Sequence, residues 1–495
     1  MSHWIAIAPL LTVGVGALAL MVVDAFTRER SELATLSAVI LLSAAGLAVG
    51  LCASAHPATA APAIVPYLAV DRMAQFWNIT ICVGAAFSAL LAGGYLREHA
   101  LERGEFYAIL LLSAFGAMVL ASAVDLLAVF VGLETMSLGV YCLVAFRRGS
   151  PRAGEGALKY FLLGSFAAAI FLFGAALLYG ATGHTDFAGI GASLSQAQPE
   201  MLPLLILGLL MLLVGLLFKV SAVPFHMWTP DAYEGAVTPA TTFMSVVVKS
   251  AAFAVLLRVL LVGFSDPLAA NPVTGWPAML IGLAIITMVY GNVAAAYQSS
   301  VKRMLAYSSI AHAGYVLIGV AATFSGPMRE QATSAVLYYL AAYTVSNVLA
   351  FGSLIAFGSH GKEAVSYEDL AGAGRRHPLI ALPFVIGVLS LMGFPPTAGF
   401  FGKWYVFNAA LGAGDVMVWP VIIAVLSSVI GAYYYLRVIV YLFMMAPQPG
   451  APVATPMRSG YVAVTLLSAG YLVLAMGIVP GRYLALALAA AKGLV

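Results

Sequence analysis

The amino-acid sequence predicts an all-α membrane protein with about fourteen transmembrane helices. Of its 495 residues, 62% are hydrophobic and only 9% are charged, and the mean hydropathy is +1.00. Soluble domains carry roughly 25% charged residues. A chain with so few charges cannot cover itself with polar surface, so lipid must be its solvent. The order of the apolar segments and the distribution of basic residues between them support the same class.

Apolar windows of about 20 residues, the length that crosses the hydrocarbon core, follow one another along the chain. The first eight predicted helices are 4–24, 33–53, 74–96, 106–122, 125–146, 157–180, 202–224 and 239–262. The other six are 277–297, 301–323, 331–358, 378–409, 417–444 and 459–479. The N-terminal stretch MSHWIAIAPL lacks the basic region of a cleavable signal peptide, so we expect the first helix to be retained.

Lysine and arginine residues are concentrated in alternate loops. One set of loops contains Arg28, Arg30, Arg97, Arg103, Arg147, Arg148, Arg152, Lys159, Lys302, Arg303, Lys362, Arg375, Arg376 and Arg458. The opposite set contains only Arg72, Arg329, Arg482 and Lys492. Because loops rich in lysine and arginine stay in the cytoplasm, both termini are expected on the opposite, periplasmic side. This bias accounts for the net charge of +3, which gives no reason to expect nucleic-acid binding.

The sequence lacks the motifs of a redox or nucleotide site. Its three cysteines, Cys52, Cys82 and Cys142, lie singly in apolar segments, without C-x-x-C or metal-like Cys/His spacing. No P-loop or dinucleotide fingerprint follows a predicted strand. We therefore expect no metal, no redox cofactor and no nucleotide in this chain, and we interpret the cysteines as small apolar residues.

Five ionisable residues lie well inside predicted helices, where a charge costs roughly 2.5–3.5 kcal/mol on insertion scales. They are Glu134, Lys219, Lys249, His312 and Lys403. Extension of a long side chain to the lipid headgroups accounts for Lys159 and Arg258. It does not account for Lys249, which lies in the middle of its helix. For His312 a second interpretation stays open, that of a core histidine bonded to a serine or a carbonyl.

One carboxylate among several amines favours pairing of Glu134 with Lys219. An isolated buried charge neutralises instead of staying ionised. For a buried pair, attraction favours the charged forms and loss of water favours the neutral forms, so the protonation state responds to any movement. Intramembrane chains of Glu, Lys and His are typical of proton or ion relays, and we predict such a relay here.

Prolines interrupt two of the predicted helices close to a lysine. In LLFKVSAVPFHMWTP, Lys219 is followed five residues later by Pro224, and in LSLMGFPPTAGFFGKW, Lys403 follows Pro395 and Pro396. Proline removes a backbone donor, and in a membrane the freed carbonyls are tolerated only where protein or cavity water satisfies them. We therefore expect a hydrated interior at both breaks.

Helices four to eight and nine to thirteen form two consecutive five-helix units. Because five is odd, the two units have opposite orientations in the membrane, which is the inverted-repeat pattern of many transporters. In each unit the fourth helix is broken near a lysine, and the second carries one central ionisable residue, Glu134 or His312. This organisation predicts N-terminal helices in 1–104, a first repeat in 105–265, a second in 266–446, and a C-terminal helix and tail in 447–495.

The motifs FKVSAVPFHMWTPDAYEGAVTP and KRMLAYSSIAHAGYVLIG resemble those of the antiporter-like membrane subunits of respiratory complex I, the proton-pumping NADH:quinone oxidoreductase. The helix count extends the resemblance over essentially the whole chain. Within this family the pattern is most similar to the subunit N branch, since Lys249 and Lys403 stand where other branches would have a histidine and a glutamate. A long lateral helix like that of subunit L is not expected after the fourteenth helix.

The resemblance implies a proton-translocating subunit without a catalytic redox site of its own. Glu134 would tune Lys219, protons would pass through Lys249 and His312, and Lys403 would lie toward the outlet. Flavin, iron–sulfur clusters and quinone would belong to partner subunits. The implied membrane partners are subunits A, H, J, K, L and M, and the implied location is the bacterial inner membrane.

Related functions stay open at this point. An Mrp-type cation/proton antiporter subunit and a membrane subunit of a hydrogenase or NDH complex share the ancestral fold. A small-solute permease would need a polar binding pocket. Apart from the charged residues, the helices contain few polar residues that could form one. The sequence assigns no role to His226, beside the first break.

Overall fold

The computed structural model describes residues 4–26, 32–53, 62–196, 198–358, 361–447 and 456–492. Two basic residues of the predicted cytoplasmic loops, Arg28 and Arg30, lie outside this part of the chain. Within it the regular structure consists of helices, and strand-like pairing is limited to isolated bridges between loops. The predicted all-α membrane class is confirmed.

Thirteen helices in the described ranges are long and apolar enough to span a membrane, and one further span is made of two pieces. In chain order they are α1 (Ile5–Phe26), α2 (Glu32–Ala53), α3 (Arg72–Glu98), α4 (Glu105–Ser122), α5 (Leu126–Val144), α6 (Pro151–Thr182), α7 (Leu202–Val220), α8 (Thr238–Gly263), α9 (Trp276–Ala296), α10 (Val301–Phe324), α11 (Gly326–Ala356), α12a (Pro378–Met392), α12b (Ala398–Gly412), α13 (Asp415–Phe443) and α14 (Gly460–Ile478). They follow the predicted order. Shorter helices lie at Phe187–Leu194, Trp228–Gly235, Ala373–Arg376 and Pro480–Ala491.

The two interrupted helices end earlier than the apolar pattern predicts. α7 stops at Val220 because Ser221 adopts the left-handed conformation (φ +65°), so the predicted helix 202–224 is wrong over its last turn. The predicted helix 378–409 is likewise interrupted at Gly393, with φ +88°. A left-handed residue cannot continue a right-handed helix. Each break therefore begins before its proline.

Polar residues fix where several spanning helices begin. Asp71, Asp125, Ser150 and Ser300 each accept a hydrogen bond from a backbone N–H two or three residues further on, at the starts of α3, α5, α6 and α10. Such caps satisfy the backbone donors that the first turn of a helix leaves without partners.

Four helices, α3, α8, α10 and α11, form the interior of the bundle. The apolar window is 94% buried in α8, α10 and α11 and 78% buried in α3, against 33–39% in α1, α2, α6, α13 and α14. α3 packs against α8 and α11, and α10 packs against α11. Lys249 on α8 and His312 on α10 are therefore carried by the most enclosed helices.

The expectation that Arg258 extends to the lipid headgroups is wrong. Its side chain does not extend to the headgroups but is 3% exposed and forms a bidentate ion pair with Asp71, with nitrogen–oxygen distances of 2.7 and 3.0 Å. Burial acts to raise the pKa of the Asp71 carboxyl, but the charge and hydrogen bonds of Arg258 hold it below its ordinary value. The pair ties the end of α8 to the start of α3.

Asp71→Asn is expected to lower the free energy of unfolding, because it leaves the Arg258 guanidinium buried without a counter-charge. Removal of one partner of a buried ion pair costs roughly 3–5 kcal/mol, and the partial exposure of Asp71 favours the lower end. The midpoint of thermal unfolding of the purified protein measures the loss.

Acidification supplies an independent check on this pair. A carboxyl whose native pKa is depressed stabilises the fold above its unfolded pKa, and that stabilisation is lost as the pH falls through the native value. Wild-type protein should therefore lose stability on acidification more steeply than Asp71→Asn. Glu200→Gln, at an exposed carboxylate, is the control; an Asp71→Asn midpoint equal to that of the control would contradict the role of the pair.

Candidate functional site

Lys219 lies in the last turn of α7, enclosed by aromatic rings. Its side chain is 1% exposed, and Nζ lies 5.2 to 5.4 Å from the ring centroids of Tyr141, Tyr160 and Phe218. Nζ also donates to the Tyr141 hydroxyl at 3.4 Å. Cation–π contacts and one hydroxyl thus replace part of the hydration that the amine lost.

Glu134 acts on Lys219 through its charge and without direct contact. The two residues interact electrostatically, but no nitrogen–oxygen distance within 4.0 Å joins them in the described structure. The expected direct ion pair is therefore not formed in this structure. Tyr141, two turns along α5 from Glu134, contacts Lys219 instead. The Glu134 side chain is half-buried, and its Oε1 has no hydrogen-bond partner among the described residues.

The segment after Lys219 leaves the helix with its backbone satisfied by protein groups. The indole Nε1 of Trp228 donates to the carbonyl of Phe218 at 3.0 Å. The N–H of Val223 donates to Oγ1 of Thr287 on α9, also at 3.0 Å. In hydrocarbon, freed backbone groups need such partners. The break that contains Pro224 is thus held by contacts to neighbouring elements.

Lys249 lies in α8 directly after a π-helical turn, Met244–Val248. Such turns are frequent at functional sites. The amine is 2% exposed and donates a hydrogen bond to the backbone carbonyl of Ser309 on α10. The Ser309 hydroxyl accepts from Tyr343 on α11 at 2.9 Å. Lys249 is therefore bonded to the helix that carries His312.

His312 is held between two tyrosine hydroxyls. Nδ1 lies 2.7 Å from the hydroxyl of Tyr339 on α11, and Nε2 lies 3.1 Å from that of Tyr435 on α13. The Tyr435 hydroxyl is also hydrogen-bonded to Ser308, one turn earlier on α10. Because a hydroxyl both donates and accepts, an imidazole in this setting can receive a proton at one nitrogen and release one at the other.

Lys403, on α12b, reaches back to the end of α12a. Nζ donates to the carbonyl of Met392 and to Oγ of Ser428 on α13, both at 2.8 Å, and lies 5.0 Å from the ring centroid of Tyr315. Met392 ends α12a, so the amine satisfies a carbonyl that has no helical partner. A Cβ at Gly393 would lie 3.1 Å from Cδ of Lys403, so the glycine makes room for the lysine.

A small cavity of about 10 Å³ separates His312 from the second break. The Ser346 and Ser390 hydroxyls in its wall are hydrogen-bonded at 2.7 Å, and Ser390 also accepts from the N–H of Gly399. The remaining walls are Tyr339, Tyr343, Leu391 and Gly402. The volume is close to that of one water molecule, and the surface that faces the cavity is almost entirely apolar.

Charged residues from the two distinctive sequence motifs meet at one end of the bundle. Asp231, in the short helix Trp228–Gly235, accepts from Arg303 at 2.9 Å and from Lys159 at 2.7 Å. Burial acts to raise the pKa of the Asp231 carboxyl, but Lys159 and Arg303 hold it below its ordinary value. A polar cavity of about 330 Å³ lies alongside, with walls that include Arg152, Glu155, Asp231, Glu234, Ser300 and Arg303.

The predicted site residues fall into two groups. Glu134 and Lys219 form one, and Lys249, His312 and Lys403 form the other, since both lysines act electrostatically on His312. No hydrogen bond or ion pair joins the two groups within the described ranges. His226 belongs to neither group and packs edge-on against Tyr290, with ring centroids 4.6 Å apart.

The sequence did not indicate the tyrosines that surround these charges. They are Tyr141, Tyr160, Tyr315, Tyr339, Tyr343 and Tyr435. Buried tyrosines need a hydrogen-bond partner, and Tyr339 and Tyr343 lie one helical turn apart in an apolar segment. That spacing is a signal that could have marked them.

Comparison with known proteins identifies clear relatives. A family model described as "NADH:quinone oxidoreductase/Mrp antiporter, TM" matches residues 123–431, more than half of the chain. A relative from Sorangium cellulosum, named NADH-quinone oxidoreductase subunit N 1, is 54% identical over 506 residues, with 99% of each chain covered.

Solved structures show the same likeness. A chain of respiratory complex I from Thermus thermophilus with bound aureothin is 36% identical, with a TM-score of 0.78 over 96% of this chain and 98% of that one. A chain of the Mrp complex from Dietzia sp. DQ12-45-1b has a TM-score of 0.83 over 100% of this chain and 98% of that one, at 21% identity. At this lower identity the second likeness shows the fold alone.

Trp228→Phe is expected to destabilise the break after α7. The substitution removes the indole donor from the Phe218 carbonyl and keeps a ring on Tyr160, with which Trp228 stacks at 4.0 Å. A buried acceptor that loses its donor costs roughly 1–3 kcal/mol. The thermal midpoint of the purified protein should fall, whereas Trp404→Phe, at a 57% exposed side chain, should leave it unchanged. Equal midpoints would show that the indole does not hold the break.

Proposed function

The chain belongs to the NADH:quinone oxidoreductase/Mrp antiporter family, within its subunit N group, and from this membership we propose how its buried charges translocate protons. It is a multi-pass membrane subunit of NADH-quinone oxidoreductase. Identity of 54% to a subunit N, against 21% to a chain of the Mrp complex, favours the oxidoreductase over the antiporter.

The observation that carries the proposal is the burial of three lysines among neutral partners. Lys219, Lys249 and Lys403 are between 1% and 8% exposed, and their amines contact carbonyls, hydroxyls and aromatic rings. Without a carboxylate in contact, nothing fixes such an amine in its charged form, so it can release and regain a proton. Intramembrane groups with this freedom are typical of proton relays.

The proposed path runs through Glu134, Lys219, Lys249, His312 and Lys403. The Ser309 carbonyl that accepts from Lys249 cannot itself carry a proton onward. We propose that water carries the proton from Lys249 past the Ser309 and Tyr343 hydroxyls to His312, whose ring lies 5.1 Å from that of Tyr343. His312 then exchanges protons with its tyrosine partners. We propose that the path continues from His312 to Lys403, which lies beside the break at Pro395 and Pro396.

The first half of the path has a different character. Glu134 acts on Lys219 only through space, so its influence depends on the separation of α5 and α7 and on the local dielectric. A small change in that separation changes how tightly Lys219 holds its proton. α7 packs against α8, and we propose that transfer from Lys219 to Lys249 between these helices runs through water.

The repeat organisation and orientation are part of the proposal. Repeats at 105–265 and 266–446 are supported by a left-handed residue, Ser221 or Gly393, at the break in the fourth helix of each unit. We propose that both termini are periplasmic. The basic residues of the predicted cytoplasmic loops that pair with Asp231 and Glu363 at one end of the bundle support this orientation; they are Arg147, Lys159, Lys302 and Arg303.

Other subunits of the complex are the partners of this chain, and we propose subunits A, H, J, K, L and M as the membrane neighbours. An uncovered apolar face beside Glu134, with exposed Leu127, Val131 and Leu138, supports packing against another membrane element. We propose that flavin, iron–sulfur clusters and quinone are bound in those partners and that this chain is a non-redox subunit of the inner membrane. The single, separated thiols of its cysteines support that division.

Lys219→Ala should lower proton pumping by the assembled complex by roughly 10²-fold, since a positioned proton-transfer group contributes at least that much. NADH-driven acidification of inverted membrane vesicles measures pumping, and native electrophoresis measures assembly. Lys362→Ala, at an exposed loop lysine, is the control and should pump normally. Wild-type pumping by Lys219→Ala would remove this residue from the path.

Glu134→Gln should impair pumping more than Glu134→Asp, because glutamine preserves shape and aspartate preserves the charge that acts on Lys219. Loss of a charge at this range changes the interaction with the lysine by roughly 1–3 kcal/mol, which is a factor of roughly 5 to 150 in the equilibrium between charged and neutral lysine. The pumping rate in the same vesicles should fall accordingly. Glu32→Gln, at an exposed carboxylate, controls for charge loss in general. Equal rates for the two Glu134 variants would indicate a purely structural residue.

A further inference from the structure

Glu363, in the loop between α11 and α12a, lies where four elements meet. Its Oε1 accepts hydrogen bonds from Tyr95 on α3 and from Thr238 at the start of α8, the latter at 2.7 Å. Lys302 on α10 and Arg147 after α5 each place a nitrogen 3.8 Å from the carboxylate. The path proposed above gives this largely buried carboxylate no role.

Glu363 and the residues that contact it, Tyr95, Thr238, Lys302 and Arg147, are called the Glu363 node. Further hydrogen bonds beside this node also connect the starts of α8 and α10. Lys302 also donates to the carbonyl of Ala236, two residues before α8, at 2.7 Å. Ser300, which caps α10, donates to the Glu234 carboxylate at 3.0 Å. The beginning of each helix is therefore held to the other by charge and by hydrogen bonds, with Glu363 as the shared acceptor.

α8 and α10 meet again in the middle of the bundle, where Lys249 donates to the Ser309 carbonyl. Thr238 and Lys249 lie on α8, and Lys302 and Ser309 lie on α10. The relative position of the two helices at the Glu363 end therefore affects the distance between the Lys249 amine and that carbonyl. The π-helical turn Met244–Val248 lies between Thr238 and Lys249, so the rotation between these two residues is not that of a continuous α-helix.

The groups that face Glu363 keep its carboxyl charged at neutral pH. Burial acts to raise the pKa of Glu363, but Lys302, the hydrogen bonds from Tyr95 and Thr238, and the charge of Arg147 hold it below its ordinary value. His99 stacks on Tyr95 at 4.0 Å, and burial lowers the pKa of His99, so this imidazole is neutral at the same pH. Loss of the negative charge would leave Lys302 and Arg147 to repel each other.

We infer that Glu363 is a positioning residue of the proton path, whose carboxylate holds α8 and α10 in the register that brings Lys249 to the Ser309 carbonyl. The inference rests on the proposed role of Lys249. It assigns Glu363 an effect on the rate of proton transfer in addition to any effect on stability.

The test uses the assembled complex in inverted membrane vesicles, with variants Glu363→Gln, Glu363→Asp and Lys249→Ala. Proton uptake and NADH oxidation are measured per assembled complex across a range of pH. Glu363→Gln should lower proton uptake roughly ten-fold, since a misplacement of about 1 Å at a reacting group can cost up to about 10²-fold. Glu363→Asp, which keeps the charge, should recover part of the rate. Glu368→Gln, at an exposed carboxylate in the same loop, should match wild type.

The pH dependence of proton uptake distinguishes a positioning role of Glu363 from a purely structural one. Wild-type uptake should fall on acidification in part because Glu363 becomes protonated. Glu363→Gln, which is already neutral at this position, should lack that part of the fall and keep the part that is due to Asp71 and Asp231. Thr238→Val, which removes one donor, should add little to Glu363→Gln if both act on one contact. A Glu363→Gln complex with a wild-type rate and profile, or one reduced only in amount, would overturn the inference.

Lys249→Ala distinguishes the two possible failures. If it pumps like wild type, the proposed path itself is wrong, whatever Glu363→Gln does. If Lys249→Ala fails to pump while Glu363→Gln pumps normally, the path stands and only the positioning role of Glu363 is refuted.

Discussion

The burial of three amines without a carboxylate in contact is the constraint on which the rest of this membrane protein depends. Desolvation of an ammonium is costly, and its partners here are aromatic rings for Lys219, a carbonyl for Lys249, and a carbonyl and a hydroxyl for Lys403. Such partners stabilise the charge without locking it. The bidentate Arg258–Asp71 pair is the opposite case, in which a counter-charge fixes the cation and the pair serves the fold.

At each of the two helix breaks a side chain donates to a backbone carbonyl near the end of the helix, and the donor differs between the breaks. After α7 the Phe218 carbonyl accepts from Trp228, a neutral donor. After α12a the Met392 carbonyl accepts from Lys403, so the cap and the cation are the same side chain. Because charged donors make stronger hydrogen bonds than neutral ones, the second break is tied to the protonation of its lysine and the first is not. The two breaks therefore differ in the chemistry of the side chain that satisfies the backbone.

Polar contacts at one end of the bundle connect the first break with the helix of the central histidine. The short helix after the break contributes Asp231 to Arg303 on α10, and the Glu363 node joins the starts of α8 and α10. The two motifs that stand out most in the sequence thus contact each other in space. A displacement of the break must be accommodated by α10, and through it by the surroundings of His312.

The sequence by itself determined the class, the number and order of the helices, and the identity of the buried ionisable residues, because hydropathy and the cost of burying charge depend on residue type along the chain. Only the tertiary structure decided their partners. Tyr435 is 123 residues from His312, and Ser309 is 60 residues from Lys249. Charge alone favoured contact between Glu134 and Lys219, yet packing of α5 against its neighbours placed Tyr141 there. Contacts between distant segments depend on how helices pack, which no local pattern encodes.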